Sequence, residues 1–285
     1  MLRALDSAVS GLQQFQNELD VIGNNIANSN TVGFKSARVD FEDTFSQTLQ
    51  VASANSSGSG GGSSANMQIG SGVTTAAITN SFAQGALTNT NVQTDLAVNG
   101  DGFFEVRDPS TGEMYATRAG DFKVDTSGYL VTNGGYRVQG YSDSGLATNG
   151  DLKIDATGAP ATADPASIVK DFNFGADGKI NVTLSDGTAF VRGQVLLQNF
   201  KNPQALLKSG SNLYSGLTSA GPMAKAAAPS TAGLGELQSS ALEQSNVDLT
   251  TEFANLITAQ RAFQANARVV TTSDEVLQEL VGLKR

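Results

Sequence analysis

The chain contains no cysteine, no histidine and no tryptophan among its 285 residues. The first two absences exclude thiol chemistry, disulfide bonds, zinc sites built on Cys or His, and any catalysis that depends on an imidazole. Charged residues make up only 16% of the chain, and 27 acidic residues against 18 basic ones give a net charge of −9. A nucleic-acid-binding protein needs a basic stripe, and the sequence has none, so we expect no nucleic acid partner.

Long apolar runs are also lacking. No window approaches the roughly 18 apolar residues that a transmembrane helix needs, so we expect no membrane insertion. Near the N-terminus, Asp6, Ser7, Ser10 and Gln13 interrupt any candidate apolar core of a secretory signal. The sequence therefore predicts a protein without a cleavable leader of that kind.

No catalytic arrangement is evident among the carboxylates or the possible Ser–Lys pairs. Asp101, Asp177 and Asp186 each precede a glycine, which is typical of turns. Residues 99–103, Asn-Gly-Asp-Gly-Phe, resemble a calcium loop only faintly and are interpreted as a hairpin turn, and the glycine-rich run 58–62 lacks the Lys-Ser/Thr of a phosphate loop. We therefore expect no enzyme, no cofactor and no metal, with a carboxylate or Ser–Lys hydrolase as a remote alternative.

Both ends of the chain carry heptad patterns that predict amphipathic helices. The N-terminal pattern consists of Leu5, Ala8, Leu12, Phe15, Leu19, Ile22 and Ile26. The residues expected to end this helix, because they tolerate the left-handed conformation, are Asn24, Asn25, Asn28 and Gly33.

The C-terminal pattern has one line of apolar residues seven apart: Leu249, Leu256, Phe263, Val270 and Leu277. Phe253, Ala267 and Val281 are predicted to form the alternate core line, which Gln260 and Asp274 interrupt. Asn246 or Asp248 can cap this helix, and Lys284 and Arg285 suit its C-terminal end. Pairing the two helices leaves Phe253, Ile257 and Leu280 partly bare, which invites neighbouring subunits.

Between the helices the pattern changes. Residues 53–64 are almost entirely Gly and Ser and are predicted to form a tether or surface loop. From Val73 to about Leu217 the apolar residues alternate, with turn signals such as 108–112, 125–128, 177–178 and 186–187 between them. This pattern indicates antiparallel strands.

The predicted fold class is therefore α+β: N- and C-terminal heptad helices paired as a coiled coil, with an inserted antiparallel all-β domain. The predicted boundaries are a terminal coiled-coil domain at 1–30 plus 247–285, extended connecting segments at 31–74 plus 231–246, and a β-rich domain at 75–230.

Motifs at both ends resemble one known family. Residues 19–35, Leu-Asp-Val-Ile-Gly-Asn-Asn-Ile-Ala-Asn-Ser-Asn-Thr-Val-Gly-Phe-Lys, are similar to the N-terminal signature of bacterial flagellar rod and hook proteins. Residues 245–249 and 259–266 resemble the C-terminal signature, and 95–104, 117–122 and 212–214 are typical of the β segment. Residues carried over as family signature are Asn24, Asn25, Asn28, Gly33, Phe34, Asn246, Asp248, Gln260 and Arg261.

Within that family two assignments compete. Residues 1–3, 32–38 and 279–285 look like those of short hook subunits, whereas the stretch from Phe41 through Gly72 has the length seen in distal rod subunits. We expect the hook subunit, a curved tube acting as a flexible joint, with the distal rod subunit, a rigid drive shaft, as the alternative. A monomeric β-rich binding module is a more remote possibility.

The resemblance also implies partners and a location. The expected partners are further copies of the chain, the flagellar distal rod protein, the hook cap protein, the hook–filament junction protein and the flagellar type III export apparatus. The expected location is the basal body and hook, extracellular after export without a cleaved signal. The terminal helices would line the inner tube, and the residues expected at the polymerisation interface are Leu5, Leu12, Phe15, Leu19, Ile22, Ile26, Leu249, Phe253, Leu256, Phe263, Val270 and Leu277.

Overall fold

The structure, a computed structural model, describes residues 2–50, 66–160, 163–164, 167–222 and 225–283. It divides the chain into two compact units, each assembled from segments far apart in sequence. Unit 1 comprises Met1–Ala27, Ala37–Ser81 and Asp248–Arg285, and unit 2 comprises Asn28–Ser36 and Phe82–Val247. The predicted tether at 53–64, Lys284 and Arg285 lie outside the described residues.

The two long helices predicted at the ends of the chain are present in unit 1. They are α1 (Leu2–Ala27) and, at the other end, α3 (Leu249–Gly282). Of the two candidate caps, Asp248 is the one used: its carboxylate accepts a hydrogen bond from the Thr250 amide at 2.9 Å. Among its described residues, unit 2 has a short helix α2 (Leu217–Ala220) and a 3-10 turn (Pro203–Ala205).

The described residues of unit 1 also contain four strands: the first three lie in the predicted extended connection, whereas most of the fourth lies in the stretch predicted as part of the β-rich domain. They are β1 (Ala37–Asp43), β2 (Ser46–Gln50), β3 (Met67–Gly70) and β4 (Val73–Asn80). Strand β1 pairs antiparallel with β4, and β2 pairs antiparallel with β3. We call residues 37–50 and 66–80 the hairpin arm. Its base packs on α1, where the Phe15 and Phe41 rings meet edge to face with centroids 6.0 Å apart.

Unit 2 is the predicted antiparallel β body. Its strands are β5 (Leu87–Asn89), β6 (Leu96–Asn99), β7 (Phe103–Arg107), β8 (Met114–Thr117), β9 (Lys123–Val124), β10 (Leu130–Val131), β11 (Arg137–Tyr141), β12 (Asn149–Asp151), β13 (Val169–Phe174), β14 (Lys179–Leu184), β15 (Ala189–Val195), β16 (Leu197–Gln198), β17 (Leu207–Gly210), β18 (Leu213–Ser215), β19 (Glu236–Ser239) and β20 (Ala241–Glu243). The main sheet runs β13-β14-β15-β11-β7-β8-β18-β17, while β6 pairs with β19 and β5 with β20.

The predicted turns at 108–112, 125–128, 177–178 and 186–187 each connect two paired strands. The interpretation of 99–103 as a hairpin turn was wrong, because the strands on either side of it pair elsewhere: β6 with β19 and β7 with β8. The Asp101 carbonyl instead accepts a hydrogen bond from the Gly235 amide at 2.8 Å.

The core of unit 2 is apolar and fully enclosed. Its largest buried side chains come from strands and turns across the main sheet and include Phe104, Phe122, Leu130, Leu152, Ile180, Leu184 and Leu197. Burying each such side chain contributes about 1.5–3 kcal/mol. A body of this kind has the core it needs without any contribution from a partner.

In the helix pair, the side chains of α3 that turn toward α1 follow a heptad pattern. One of its two lines agrees with the prediction and the other does not. The line Leu256, Phe263, Val270 and Leu277 is half-buried, as expected. The alternate line consists of Glu252, Ala259, Asn266 and Ser273, one residue before the predicted Phe253 line. Phe253 itself is 51% exposed.

Close approach of the two backbones explains this alternate line. A Cβ atom built on Gly11 of α1 would lie 2.6 Å from the Asn266 amide nitrogen, so the helices meet there with only small or polar side chains between them. Nearer the other end, the Asn25 amide nitrogen donates to the Glu252 carboxylate at 3.1 Å. Small and polar residues therefore occupy the second line of the seam, which the spacing of apolar residues had assigned to Phe253 and the residues in line with it.

A buried charge cluster ties four segments of unit 2 together. The Glu243 carboxylate accepts hydrogen bonds from the Lys35 amine at 2.6 Å, the Gly85 amide at 2.9 Å and the Arg118 guanidinium at 3.3 Å. Lys35 and Glu243 are completely buried and Arg118 almost so. Burial and the nearby Arg118 lower the pKa of the Lys35 amine, against the opposing effect of Glu243. The cluster holds two cations on one carboxylate, so it depends strongly on Glu243.

We predict that Glu243→Gln lowers the free energy of unfolding of unit 2 by about 3–5 kcal/mol, because removing the carboxylate leaves buried cations without a counter-charge. Urea denaturation followed by circular dichroism measures this. Glu236→Gln is the matched control, since this exposed carboxylate lies in the same segment and its loss should cost less than about 0.5 kcal/mol. Equal stability of the two variants would contradict the importance of the cluster.

Candidate assembly surface

The signature residue Asn25 is a structural connector. Its side chain is buried, and it donates to the Ala37 carbonyl at 2.7 Å and accepts from the Ala37 amide at 3.0 Å. The expectation that Asn24 and Asn25 end α1 was wrong, because both lie within the helix, which continues to Ala27. The paired donor and acceptor of an amide side chain allow Asn25 to fix the first residue of β1 in register.

Gly33 does adopt the left-handed conformation that the sequence predicted, with φ of 67°. Its amide donates to the Glu243 carbonyl at 2.8 Å, and a Cβ atom at this position would lie only 2.6 Å from the Ala119 nitrogen. Both the backbone angle and the lack of space therefore require glycine here.

Asn246 and Phe34 lie on two different loops of unit 2, which meet where the Asn246 amide donates to the Phe34 carbonyl at 3.4 Å. The Asn246 side chain accepts from the Ser36 amide at 2.8 Å and donates to the Ala83 carbonyl at 3.1 Å. Phe34 is buried beneath the Lys208 amine, which lies 4.7 Å from its ring centroid. Asn28 begins the loop, where its side chain accepts from the Thr31 hydroxyl at 3.1 Å. These signature residues shape two adjoining loops, with Asn28 and Phe34 on the loop before β1 and Asn246 on the loop before α3.

The residues predicted at the polymerisation interface fall into two groups. On α1, Leu5, Leu12, Phe15, Leu19 and Ile26 are half-buried and Ile22 is buried. On α3, Leu256, Phe263, Val270 and Leu277 are half-buried toward α1, whereas Leu249 and Phe253 are exposed. Their role between copies of the chain remains a prediction.

As expected, α3 keeps apolar side chains that no element of unit 1 covers. Ile257 is 58% exposed, and Leu280 is also exposed, as are Val269, Val276, Val281 and Leu283. The signature residues Gln260 and Arg261 are exposed on the same helix. A helix packed on one side only cannot bury apolar residues around its whole circumference.

The hairpin arm carries a second exposed apolar surface, which the sequence interpretation missed. Phe45 is 85% exposed, and Leu49, Met67, Ile69 and Ile78 are exposed as well. The local signal is weak because the strands are short and lie beside Ser, Thr and Gln. Exposed apolar side chains on one element are candidates for contact with another protein.

Neither membrane crossing nor metal binding is suggested by the described residues. No helix there is both long and apolar enough to cross a bilayer. That part of the chain likewise holds no group of three or more acidic side chains placed to hold a metal ion.

Three family models match successive parts of the chain. Residues 5–35 match "Flagella basal body rod protein", residues 97–182 match "Flagellar hook protein FlgE/F/G D1 domain", and residues 238–283 match "Flagellar basal body rod FlgEFG protein C-terminal". The first and last of these contain the two terminal signatures.

Similarity to individual proteins extends over the full length. The chain is 44% identical to the flagellar basal-body rod protein FlgG of Bacillus subtilis over 285 residues, which is 100% of both chains. It is 33% identical to the protein of the same name from Borreliella burgdorferi, again over 100% of both chains. The flagellar hook protein FlgE of that same organism is 27% identical, over an alignment of 446 residues that covers 100% of both chains.

These comparisons overturn the expected choice of the hook subunit. Within one organism the rod protein is more similar than the hook protein, and it aligns without the long extra segments that the 446-residue alignment requires. The terminal residues that suggested a hook subunit belong to signatures that rod and hook proteins share, so they could not decide between the two. The chain belongs to the bacterial flagellar rod and hook protein family, whose members are structural components of the flagellum.

Proposed function

We propose that this chain is a structural subunit of the flagellar basal-body rod, in its distal part, and that it polymerises into a straight tube that acts as a drive shaft. The observation that carries the proposal is the exposed apolar surface of unit 1, on α3 and on the hairpin arm. The names and full-length similarity of the rod relatives support the rod assignment over the hook.

The geometry of the contacts favours an open polymer. The apolar surface of α3 and that of the hairpin arm are different surfaces on one chain, so a contact between them on two copies would be heterologous. Such a contact, repeated by a rotation that does not close, produces a helical filament. The free energy gained on association is proportional to the apolar area buried, about 25 cal/mol per Å² before the costs of ordering are subtracted.

The hairpin arm also favours a rigid shaft over a flexible joint. A flexible joint must exchange contacts between neighbouring copies as it rotates, which requires several packings of nearly equal free energy. Large side chains such as Phe45 and Leu49 would instead interlock with a neighbour, and close-packed apolar contacts resist sliding. The arm lies in the stretch whose length is typical of distal rod subunits.

Several finer features belong to this proposal. We propose that α1 and α3 form a coiled coil, since the half-buried residues on α3 recur at steps of three and four. We propose that residues 1–30 and 247–285 form the inner tube, and that the chain reaches the rod through the flagellar type III export apparatus. Its neighbours would be further copies of itself and other flagellar axial proteins. The hook cap and hook–filament junction proteins were expected only as partners of a hook subunit and are not part of this proposal.

We predict that Ile257→Asp raises the lowest concentration at which the protein polymerises by at least about tenfold, because a charge would be buried at each contact between copies. Sedimentation and electron microscopy measure the polymer. Ile168→Asp is the matched control: Ile168 is 72% exposed but lies in unit 2, away from the proposed contact. Both variants should keep the β-sheet circular dichroism of the wild type.

Normal polymerisation of Ile257→Asp would remove the α3 surface from the assembly mechanism. An equally large effect of Ile168→Asp would show that any added surface charge weakens assembly, and the α3 surface would then have no special role.

Immunogold labelling tests the rod assignment directly. We predict that an antibody against unit 2 labels cells only after the envelope has been opened, on the straight shaft within it. Gold on a curved segment outside intact cells would show a hook subunit and refute the assignment, while the argument for a tube would stand.

A further inference from the structure

The face of α3 that points away from α1 carries four charged residues in a defined order. Arg261 and Arg268 lie in the middle of the helix and Glu275 and Glu279 near its C-terminal end, all of them exposed. At 3.6 residues per turn the four fall within a stripe roughly 40° wide, opposite the buried Ala259. We call this the charged stripe. None of the four takes part in the ion pairs found among the described residues.

The acidic half of the stripe is unfavourable for the isolated helix. Glu275 and Glu279 are four residues apart, so their charges repel each other on adjacent turns. Glu279 also lies in the last turn of α3, where the helix dipole disfavours negative charge. A cationic partner outside this helix would convert both costs into a stabilising contact.

The basic half of the same stripe supplies cations of matching number. Arg261 and Arg268 are seven residues apart and, like the glutamates, sit on the exposed ridge of the helix. Arginine holds its charge at any physiological pH and binds carboxylates through two parallel hydrogen bonds. The stripe is therefore self-complementary between two copies of the chain.

We propose that the α3 helices of neighbouring copies run parallel and displaced along their axes, so that Arg261 and Arg268 of one copy pair with Glu275 and Glu279 of the next. The displacements from Arg261 to Glu275 and from Arg268 to Glu279 are 14 and 11 residues, which correspond to roughly 21 and 17 Å. Arginine and glutamate side chains are long enough to absorb this difference, so one stagger serves both pairs.

This inference rests on the proposed polymer and adds the register between its subunits. With a staggered parallel contact, the copy at one end of the assembly keeps the basic half of its stripe unpaired. The copy at the other end keeps its acidic half unpaired, so further copies can add at both ends. The antiparallel alternative pairs Arg261 with Glu279 and Arg268 with Glu275 in both directions at once, which would close a dimer and stop growth.

Charge reversal tests the pairing. The variant Arg261→Glu/Arg268→Glu has an all-acidic stripe and Glu275→Arg/Glu279→Arg an all-basic one, and each should raise the lowest polymerising concentration about tenfold or more, since both pairs become repulsive. Combining all four substitutions restores opposite charges at each contact and should return that concentration to within about threefold of the wild type.

The matched control is Lys170→Glu/Lys201→Glu, which replaces two exposed lysines of unit 2 and shifts the net charge by the same amount as the all-acidic stripe. It should polymerise like the wild type. Normal polymerisation of the two stripe variants, or no recovery in the fourfold variant, would overturn the pairing. The proposed function would still stand in either case, provided that the wild type polymerises. Failure of the wild type to polymerise would instead refute the proposed function, and this inference with it.

Because the chain has no cysteine, introduced thiols report the direction of the helices. Thr258→Cys/Thr272→Cys places thiols 14 residues apart and should give a ladder of disulfide-linked oligomers if the helices are parallel and staggered. In the antiparallel arrangement Thr272 lies near the midpoint of the pair, so the Thr272 positions of the two copies would be close together. A covalent dimer of the single variant Thr272→Cys would therefore overturn the parallel stagger.

Discussion

One buried carboxylate holds together segments of this protein that are far apart in sequence. Glu243 binds Lys35 and Arg118 through its side chain, and its carbonyl accepts from the Gly33 amide. The loop before β1 and the segment before α3 therefore reach their positions in unit 2 by contact with the same residue. Charges buried without partners are strongly destabilising. This part of the fold can therefore form only when the segments that carry Lys35, Arg118 and Glu243 are all present.

Unit 1 is under a different constraint. Its long helix α3 has one helical neighbour, so one face is packed and the rest is exposed, including Phe253 and Ile257. The contact with α1 is itself made close by Gly11 and Asn266, which excludes larger side chains from the seam. The apolar residues excluded from the seam stay exposed, and they are the ones that we propose to contact other copies. In that proposal, the same packing of α3 on α1 serves both the folding of the subunit and its polymerisation.

Short sequence motifs identify the family of this chain, but they do not distinguish a rod subunit from a hook subunit. The two terminal signatures specify a connection from α1 to β1, a tight loop and a helix start, and Asn25, Gly33 and Asp248 perform these roles. The C-terminal signature matches a family model described for FlgE, FlgF and FlgG together, so such roles do not separate a stiff polymer from a flexible one. The difference is expected instead in surfaces such as the hairpin arm, whose exposed Phe45 and Leu49 would favour a fixed packing.

The sequence alone determined the elements whose signal is local. The heptads specified α1 and α3, and Asp-Gly turns specified the hairpins around β14, because periodicity and turn chemistry act over a few residues. Only the tertiary structure decided that Asn25 binds Ala37, that Asn266 rather than Phe253 enters the helix seam, and that Glu243 meets Lys35. Each of these depends on how closely two separate backbone segments approach, and hydrophobic periodicity carries no information about the distance between them.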